Sequence, residues 1–292
     1  MAGWVLGVIG GSGLYEIDGL KEAAWVKVES SFGEPSDAIL HGRLGDASLR
    51  FLPRHGRGHK LPPTAVNARA NIDALKRAGC TDVLSLSAVG SLRESLAPGD
   101  FVVVDQFIDR TFAREKSFFG PGLAAHVSMA EPVCPRLSSF AVQAAISAGA
   151  RVVDGGCYLA MEGPQFSTKA ESALYRSWGC DVIGMTNMPE AKLAREAELP
   201  YASVAMVTDY DCWHEEFSHV EVSQIIAVLG DNAAKARELI AHLARALPPI
   251  RPPSAIDTCL DGAMITSPAA RDPSMINALS AVAGRALAVS KR

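Results

Sequence analysis

Short apolar runs alternate along this chain with longer stretches in which apolar residues recur at helical spacing. The apolar runs predict buried strands at residues 4–9, 82–87, 101–104, 181–186 and 201–207, and a further short apolar run covers residues 49–52. The helical stretches lie at about residues 64–78, 137–147, 168–178 and 220–247, and the sequence predicts Thr64 as the cap of the first. Such alternation is typical of a single α/β domain, in which helices cover both faces of a mostly parallel, twisted central sheet.

A proline-rich segment divides the chain into two unequal parts. We expect residues 1–247 to form the main domain, because the prolines at positions 248, 249, 252 and 253 cannot continue the long helix before them. Residues 248–292 are then a linker and a C-terminal helix, which begins at Asp272 and Pro273 and runs to about Leu287. We expect this tail to pack on the main domain as part of the same domain.

Composition narrows the class of protein. A chain of 292 residues with 48% hydrophobic residues can bury a large core, and its net charge of -4 gives no indication of a nucleic-acid or membrane-surface partner. The six cysteines lack the C-x-x-C spacing of a zinc site and the pattern of a disulfide framework. The sequence shows no signal peptide and no apolar run of membrane-spanning length. We therefore expect a cytoplasmic protein without a metal ion.

Two carboxylates, Asp209 and Asp211, stand at the end of an apolar strand. Side chains at i and i+2 of an extended backbone point to the same side, so the pair suits two neighbouring polar edges of one flat ligand, such as N7 and the exocyclic amine of adenine. The other interpretation is that the aspartates cap the helix that follows, since Asp is a common N-cap residue. The pair alone does not decide between the two.

The loop after the first strand has the composition of an anion site. Glycines surround Ser12 at positions 10, 11 and 13, and glycines let backbone N–H groups approach an anion closely. The loop does not fit the dinucleotide-binding, P-loop or nucleophile-elbow patterns. An anion site of another kind is therefore the prediction.

A second loop of this type follows residues 49–52. It begins with Arg54 and His55, and a planar guanidinium suits paired hydrogen bonds to phosphate. We expect Arg57, His59 and Lys60 to be solvated basic residues. The glycines between the two histidines argue against a helical metal site.

Two further strands end in small polar residues. One carries Ser87 and Ala88, and the other stops at Thr186 before a helix that Pro189 opens. In parallel α/β sheets, ligands bind at the carboxyl ends of strands. We therefore expect these residues to meet the paired aspartates at one site.

These segments together resemble the nucleoside phosphorylases of the trimeric type, and within that family the members that act on 5'-methylthio nucleosides. The matching segments are residues 9–14, 53–56, 88–94, 105–111, 161–167, 184–190 and 208–213. They are spread over about residues 5–245. The tail from about residue 249 matches only weakly.

The resemblance implies a role for each candidate residue. Asp209 would be the catalytic residue at N7 of the base, and Asp211 would accept a hydrogen bond from the 6-amino group. Phe166 would pack on the base, and Met185 would lie against the ribose. The phosphate site would consist of Ser12, Arg54, His55, Ser87, Ala88 and Thr186. An acid at N7 must hold a proton near neutral pH, so a raised pKa is expected for a buried Asp209.

The 5' side of the nucleoside separates members of the family. Val222 aligns with a histidine of the phosphorylases for ordinary 6-oxopurine nucleosides, and with Ile225 it would form an apolar 5'-methylthio pocket. His219 lies three residues from that position. His126 matches a residue that reaches the pocket from a neighbouring subunit, which implies a homotrimer or a dimer of trimers. Ordinary surface histidines are the alternative for both.

The implied activity is phosphorolysis of 5'-methylthioadenosine to adenine and 5-methylthioribose 1-phosphate, with inorganic phosphate as co-substrate and no cofactor. Methylthioinosine, inosine or adenosine is the alternative nucleoside, because residues 184–190 are similar to those of enzymes that prefer methylthioinosine. Two other classes are a nucleosidase that uses water and a purine-binding protein without catalysis. The predicted phosphate site argues against both classes.

Overall fold

The computed structural model describes residues 3–11, 13–214 and 222–289, with only the backbone at 222–227. In this part of the chain eleven strands form one sheet. They are β1 (Val5–Gly10), β2 (Lys21–Val26), β3 (Ile39–Leu44), β4 (Ala47–Pro53), β5 (Asp82–Ser91), β6 (Asp100–Val104), β7 (Gln106–Asp109), β8 (Arg151–Asp154), β9 (Cys157–Ala160), β10 (Val182–Gly184) and β11 (Tyr201–Asp209). The helices are α1 (Ala68–Arg77), α2 (Pro135–Ser147), α3 (Lys169–Ser177), α4 (Glu190–Glu196), α5 (Val222–Ala246), α6 (Pro273–Ala278) and α7 (Gly284–Val289).

Four parallel strands form the centre of the sheet. β1 pairs with β4 on one side and with β5 on the other, and β11 pairs with β5. Antiparallel pairings join β2 to β3, β3 to β4, β6 to β11 and β10 to β5. The outer strands β7, β8 and β9 pair in parallel with their neighbours. The predicted α/β class with a mostly parallel sheet is confirmed. The apolar runs did not predict the antiparallel strand pairings.

The two central strands β5 and β11 are buried along most of their length. Strands covered on both faces have nearly continuous apolar sequences, and polar positions in β5 include the small residues Ser85, Ser87 and Ser91. The register between β11 and β5 shifts between Val207 and Asp209. A bulge of this kind bends the strand and re-aims the side chains beside it, and here it comes directly before the paired aspartates.

Helices cover both faces of the sheet. On one face α2 packs against α5, and Leu137 and Ile240 share a buried cluster with residues of β1 and β4. On the other face α1 packs against α4, and Ile72 and Leu193 belong to a second cluster. Burying each of these side chains contributes about 2 kcal/mol. The helices therefore fix the sheet from both sides and leave its strand ends open.

The first helix begins later than predicted. Asn67 caps α1 by accepting a hydrogen bond from the N–H of Ala70 at 3.0 Å. Thr64 lies in a 3-10 turn before the helix, and its hydroxyl donates to Glu162 at 3.0 Å. The predicted Thr64 cap is wrong because a carboxylate distant in the sequence binds that hydroxyl. Thr168, in contrast, caps α3 where the sequence predicts a helix start.

The C-terminal tail forms two short helices where the sequence predicts one. Asp272 accepts a hydrogen bond from the N–H of Ser274 at 2.7 Å and caps α6 as expected. A turn separates α6 from α7, and it brings Leu279 and Val282 into the cluster that also contains residues of α1 and α4. The division of the chain at residue 247 stays a prediction.

Three observations bear on the expectations drawn from composition. All six cysteines are free thiols. Within the described ranges, no group of His, Cys, Asp or Glu side chains is arranged to hold a metal ion. A search of those ranges also finds no helix that is long and apolar enough to cross a membrane. The predictions about metals and localisation stay predictions.

Candidate active site

The polar ends of the central strands border one cleft with a volume of about 450 Å³. Most of the predicted site residues contribute to its wall. They are Arg54, His55, Ser87, Ala88, Phe166, Met185, Thr186, Asp209 and Asp211. The fold therefore brings together side chains from five separate regions of the sequence, at the edge of the sheet where parallel α/β proteins bind ligands.

The other predicted residues have different positions. Ser12 and His219 lie outside the described residues. Val222 and Ile225 lie in the first turns of α5, where only the backbone is described. His126 is exposed and borders a second cavity, not the cleft of its own chain. Its predicted role in a neighbouring subunit stays a prediction.

Asp209 ends β11 in surroundings that favour its protonated form. Burial raises the pKa of its carboxyl, against the opposing effect of hydrogen bonds from Thr208 and the N–H of Asp211. Thr208 Oγ1 lies 2.7 Å from Asp209 Oδ2 and 3.1 Å from the carbonyl oxygen of Val89. The hydroxyl has one hydrogen for these two acceptors, so it stabilises the carboxylate only in part, and burial keeps the protonated form of Asp209 favoured.

The neighbouring strand leaves room for this carboxylate. A Cβ at Gly90 of β5 would lie 2.9 Å from Asp209 Oδ1 and 3.3 Å from the backbone nitrogen of Asp211. Contacts of real Cβ atoms do not come under about 3.0 Å without a shift of the neighbour. Glycine at this position therefore lets the acid pack against β5.

Asp211 reaches the cleft by a turn. The strand ends at Asp209, Asp211 has φ +52°, and its N–H donates to Asp209 Oδ1 at 2.8 Å. The extended i, i+2 geometry that the sequence suggested is thus replaced by a left-handed residue that folds back on its neighbour. The alternative N-cap role is not supported, because the residues that follow Asp211, at positions 212–214, are not helical.

One oxygen of Asp211 is buried without a donor. The residue is 4% exposed, and Oδ2 has no hydrogen-bond partner in the described part of the chain. Burial raises the pKa of Asp211 and the nearby Asp209 carboxylate raises it further, against the opposing effect of the Ser172 and Ser167 hydroxyls. Leaving a buried acceptor without a donor costs about 1–3 kcal/mol of free energy, and a ligand that supplies the donor removes this cost. The position therefore suits a ligand with an N–H group.

Arg54 is buried beneath the cleft in an ion pair that the sequence did not predict. Nε donates to Glu190 Oε2 at 2.9 Å and Nη2 to Glu190 Oε1 at 3.1 Å. Nη2 also donates to Ser85 Oγ at 2.6 Å, and Nη1 donates to the carbonyl oxygen of Leu86 at 3.0 Å. The paired hydrogen bonds expected for phosphate are thus made with Glu190, and one N–H of Nη1 remains for a ligand.

His55 is held by one ring nitrogen. Nδ1 lies 2.9 Å from the carbonyl oxygen of Leu61, and the ring stacks on His59 with centroids 4.4 Å apart. Burial and the charge of Arg54 lower the pKa of His55 to about 4. His59 also borders the cleft, so the expectation that it is only a solvated basic residue is incomplete: stacking holds it at the cleft mouth.

Two hydroxyl groups stand near this basic end. Ser87 Oγ is buried and without a hydrogen-bond partner among the residues described. Thr186 Oγ1 lies 3.3 Å from the hydroxyl of Tyr158. Gly184 makes room for that tyrosine, since a Cβ there would lie 2.0 Å from its hydroxyl oxygen. Thr186 Oγ1 also donates to Asn187 Oδ1 at 3.3 Å, so of the two hydroxyls only Ser87 Oγ is without a partner in the described ranges and available to a tetrahedral anion.

The backbone around Met185 is fixed by a second ion pair. Arg114 Nη1 donates to the carbonyl oxygens of Met185 and Met188 at 2.7 and 2.8 Å. Its Nε donates to Glu162 Oε1 at 2.9 Å. Hydrogen bonds from two backbone N–H groups and from Arg114 lower the pKa of Glu162 to about 2 despite its burial. This charged pair holds the segment that the resemblance assigns to the ribose.

Part of the cleft wall is apolar. Phe166 is 49% exposed at the opening, and Leu229 and Ala233 of α5 line the interior. Positions 222, 225, 229 and 233 follow the i, i+3, i+4 spacing of one helical side. The sequence analysis missed Leu229 and Ala233, although extending that spacing along α5 identifies them.

Glu190 and the pair of Arg114 with Glu162 are the other functional residues that sequence reasoning missed. Glu190 and Arg54 are separated by 136 positions. A signal existed for Arg54 alone, since an arginine is costly to bury unless its charge has a partner. The sequence does not say which carboxylate that is.

Comparison with known proteins shows which family the chain is similar to. A sequence profile of the Phosphorylase superfamily matches residues 5–247. The S-methyl-5'-thioadenosine phosphorylase of Cereibacter sphaeroides is 62% identical over 285 residues, which cover 97% of this chain and 98% of that protein. The protein of the same name from Rhodospirillum rubrum is 61% identical and covers 97% of each chain.

Solved structures give the same picture. A methylthioadenosine phosphorylase from an Antarctic soil metagenomic library superposes with a TM-score of 0.91 at 44% identity, covering 97% of this chain and 99% of that chain. A variant of the adenosine/methylthioadenosine phosphorylase of Schistosoma mansoni, in complex with adenine, superposes with a TM-score of 0.79 at 40% identity. That match covers 83% of this chain and 91% of the other.

Proposed function

The chain belongs to the phosphorylase superfamily, and from this premise we propose that it cleaves 5'-methylthioadenosine with inorganic phosphate. The products are adenine and 5-methylthioribose 1-phosphate, which makes the protein a pentosyltransferase. The relatives at 62% and 61% identity have names that support this substrate. No cofactor has a part in the proposed reaction.

The buried pair Asp209 and Asp211 carries this proposal. Asp211 Oδ2 has no hydrogen-bond donor among the residues that the structure describes. The 6-amino group of adenine supplies such a donor, whereas the 6-oxo group of hypoxanthine does not. Asp209, whose pKa is raised by burial, stands beside it and has a proton for the adjacent N7. Two neighbouring edges of one adenine therefore match an acceptor and an acid.

The reaction separates charge, and the proposed site stabilises both the positive charge on the sugar and the negative charge on the base. As the bond between C1' and N9 lengthens, the sugar becomes cationic and the base becomes anionic. A proton from Asp209 at N7 neutralises the base as it leaves, and a positioned acid of this kind accelerates a reaction by about 10²–10⁴-fold. Phosphate beneath the sugar then bonds to C1'.

The proposed phosphate site combines neutral donors with one buried cation. Ser87 Oγ is without a described partner, Thr186 Oγ1 borders the cleft, and one N–H of Arg54 is left after its bonds to Glu190, Ser85 and Leu86. On the resemblance, His55, Ser12 and the backbone at Ala88 complete the set. Preorganised donors of this kind need no rearrangement when charge develops.

The 5'-methylthio group would lie on the apolar wall near Leu229. We extend this wall to Val222 and Ile225 on the same helix, and to His126 of an adjacent protomer. This arrangement requires a closed assembly, and we propose a homotrimer, or a dimer of trimers, in the cytoplasm. Closed cyclic assemblies are common among soluble homo-oligomers.

One assay tests the proposed function against its alternatives. Adenine release from 5'-methylthioadenosine is measured with and without phosphate. Release that requires phosphate and yields the sugar 1-phosphate supports the proposal. Equal release without phosphate indicates a hydrolytic nucleosidase, and adenine binding without any release indicates a purine-binding protein. Faster phosphorolysis of methylthioinosine, inosine or adenosine would assign another nucleoside to the same site.

A further inference from the structure

One ring nitrogen of His55 is hydrogen-bonded to the backbone of its own chain, and the other is available to a ligand in the cleft. Nδ1 lies 2.9 Å from the carbonyl oxygen of Leu61. A carbonyl only accepts, so Nδ1 carries the hydrogen and the neutral ring has its lone pair on Nε2. The structure shows no hydrogen bond to Nε2 from any described residue, and the ring borders the cleft. Nε2 is therefore an acceptor for a ligand.

The groups that face His55 favour this neutral ring. Burial is the largest effect that lowers its pKa, to about 4, and the positive charge of Arg54 acts in the same direction. His59, stacked on the ring, would repel a second positive charge. The carboxylate of Glu190 favours the charged ring, but it already binds Arg54 through both oxygens.

We propose that His55 accepts the proton of phosphate, and that the site therefore selects tetrahedral anions that carry a proton. This inference rests on the proposed function. Phosphate in its doubly charged form, HPO₄²⁻, has one P–OH group that can donate to Nε2. Sulfate has the same shape and charge but no proton, so one of its oxygen lone pairs would face the nitrogen lone pair. A buried acceptor without a donor weakens binding substantially.

The same proton has a place in the reaction. The bond between C1' and N9 breaks while an oxygen of HPO₄²⁻ bonds to C1'. The P–OH proton passes to Nε2 of His55, and the carboxyl proton of Asp209 passes to N7. Neutral adenine and a doubly charged sugar phosphate result, together with a cationic His55 and an anionic Asp209. Transfer of one proton from His55 to Asp209 through solvent restores both groups.

The phosphate ester holds this proton weakly. The second pKa of a phosphate monoester is about 6, whereas the remaining proton of HPO₄²⁻ is not lost near neutral pH. Formation of the bond to C1' therefore turns a firmly held proton into one that a neutral imidazole can accept. His55 then favours the step that makes the ester.

The test compares anions that differ in the proton and share shape and charge. At about pH 8, phosphate and arsenate are dianions with one acidic proton, and sulfate is a dianion without one. Dissociation constants are measured by titration calorimetry on the full-length protein. We expect phosphate and arsenate to agree within about threefold and sulfate to bind at least about tenfold more weakly.

A His55→Gln variant provides the second arm, because its amide N–H₂ can donate to sulfate. We expect the preference for phosphate over sulfate to fall below about threefold in this variant. Lys60→Gln, in the same loop and exposed, is the matched control and should keep the parent preference. Adenine release is measured on every protein.

The outcomes separate this inference from the proposed function. Sulfate that binds as tightly as phosphate to the parent protein would overturn the inference, even if phosphorolysis is observed. An unchanged preference in a folded His55→Gln variant would overturn it as well. A preference for phosphate without cleavage of 5'-methylthioadenosine would instead contradict the proposed function. If the variant does not fold, the anion comparison on the parent protein decides alone.

Discussion

The substitution Asp211→Asn should change which base the protein accepts. In the parent protein, Oδ2 of Asp211 is buried and has no hydrogen-bond donor among the residues that the structure describes, so a 6-oxo group would leave this oxygen without a donor. That mismatch costs on the order of 2 kcal/mol or more, about 30-fold in catalytic efficiency. In the variant, the amide rotates to present oxygen to a 6-amino group or N–H₂ to a 6-oxo group. The discrimination should then nearly disappear.

The measurement is the ratio of kcat/KM for 5'-methylthioadenosine and methylthioinosine, with adenine and hypoxanthine separated by chromatography. We expect a ratio of at least about 30 for the parent and below about 3 for the variant. Asp154→Asn, an exposed carboxylate on β8, is the control and should keep the parent ratio. Equal efficiency of the parent on both nucleosides, or an unchanged ratio in the variant, would refute the assignment of Asp211 to the 6-amino group.

The pH dependence of that ratio gives an independent check. Burial, together with the adjacent Asp209, raises the pKa of Asp211, so its carboxyl is protonated at higher pH than an ordinary aspartate. A protonated carboxyl can donate to a 6-oxo group. The preference for the adenine nucleoside should therefore decline as pH falls, while Asp211→Asn shows a flat ratio. Protonation of Asp209 affects both substrates and cancels in the ratio.

The other predictions concern catalysis, stability and the 5' group. Asp209→Asn should lower kcat by at least about a hundredfold, and a loss of only a few-fold would contradict its role as the acid. Glu190→Gln leaves the charge of Arg54 buried and unpaired, so urea unfolding should show a loss of about 3–5 kcal/mol. The pKa of Glu162 is depressed from 4.5 to about 2, so its contribution to the free energy of unfolding, on the order of 3 kcal/mol, is present above pH 4.5 and lost as pH falls toward 2; Glu162→Gln should remove this dependence. 5'-Methylthioadenosine should exceed adenosine in kcat/KM by at least about tenfold if the wall at Leu229 receives the methylthio group, and equal use would refute an apolar pocket.

The sequence predicts the position of the site because that position depends on local patterns of apolar and polar residues. Nearly continuous apolar runs identify β5 and β11 as central strands, and small polar residues at their ends indicate a ligand edge. Strand β2 escaped prediction because it is exposed along most of its length and lacks the alternation of a half-buried strand. The apolar pattern therefore identifies the central strands and misses flanking strands, including β3 and β9, which are mostly buried.

The internal geometry of the site depends on contacts between distant residues. Asp211 turns into the cleft because the register shifts at the end of β11, and because Gly90 on the neighbouring strand β5 has no Cβ to clash with this turn. Arg54 is engaged by Glu190 from the start of α4. The residue types predict an acid pair and an anion site. Their bonds, however, follow from strand pairing and from partners that a linear pattern does not specify.

The bonds between Arg54 and Glu190 also affect how anions are captured. Because the charge of Arg54 is matched before any ligand arrives, the cleft attracts anions only over short distances. An unmatched arginine would draw nucleotides, sugar phosphates and other polyanions from several ångströms away. A matched pair leaves recognition to hydrogen-bond donors that a small tetrahedral ion can reach at once. Affinity for phosphate should therefore depend little on ionic strength, and larger metabolites compete poorly in a crowded mixture.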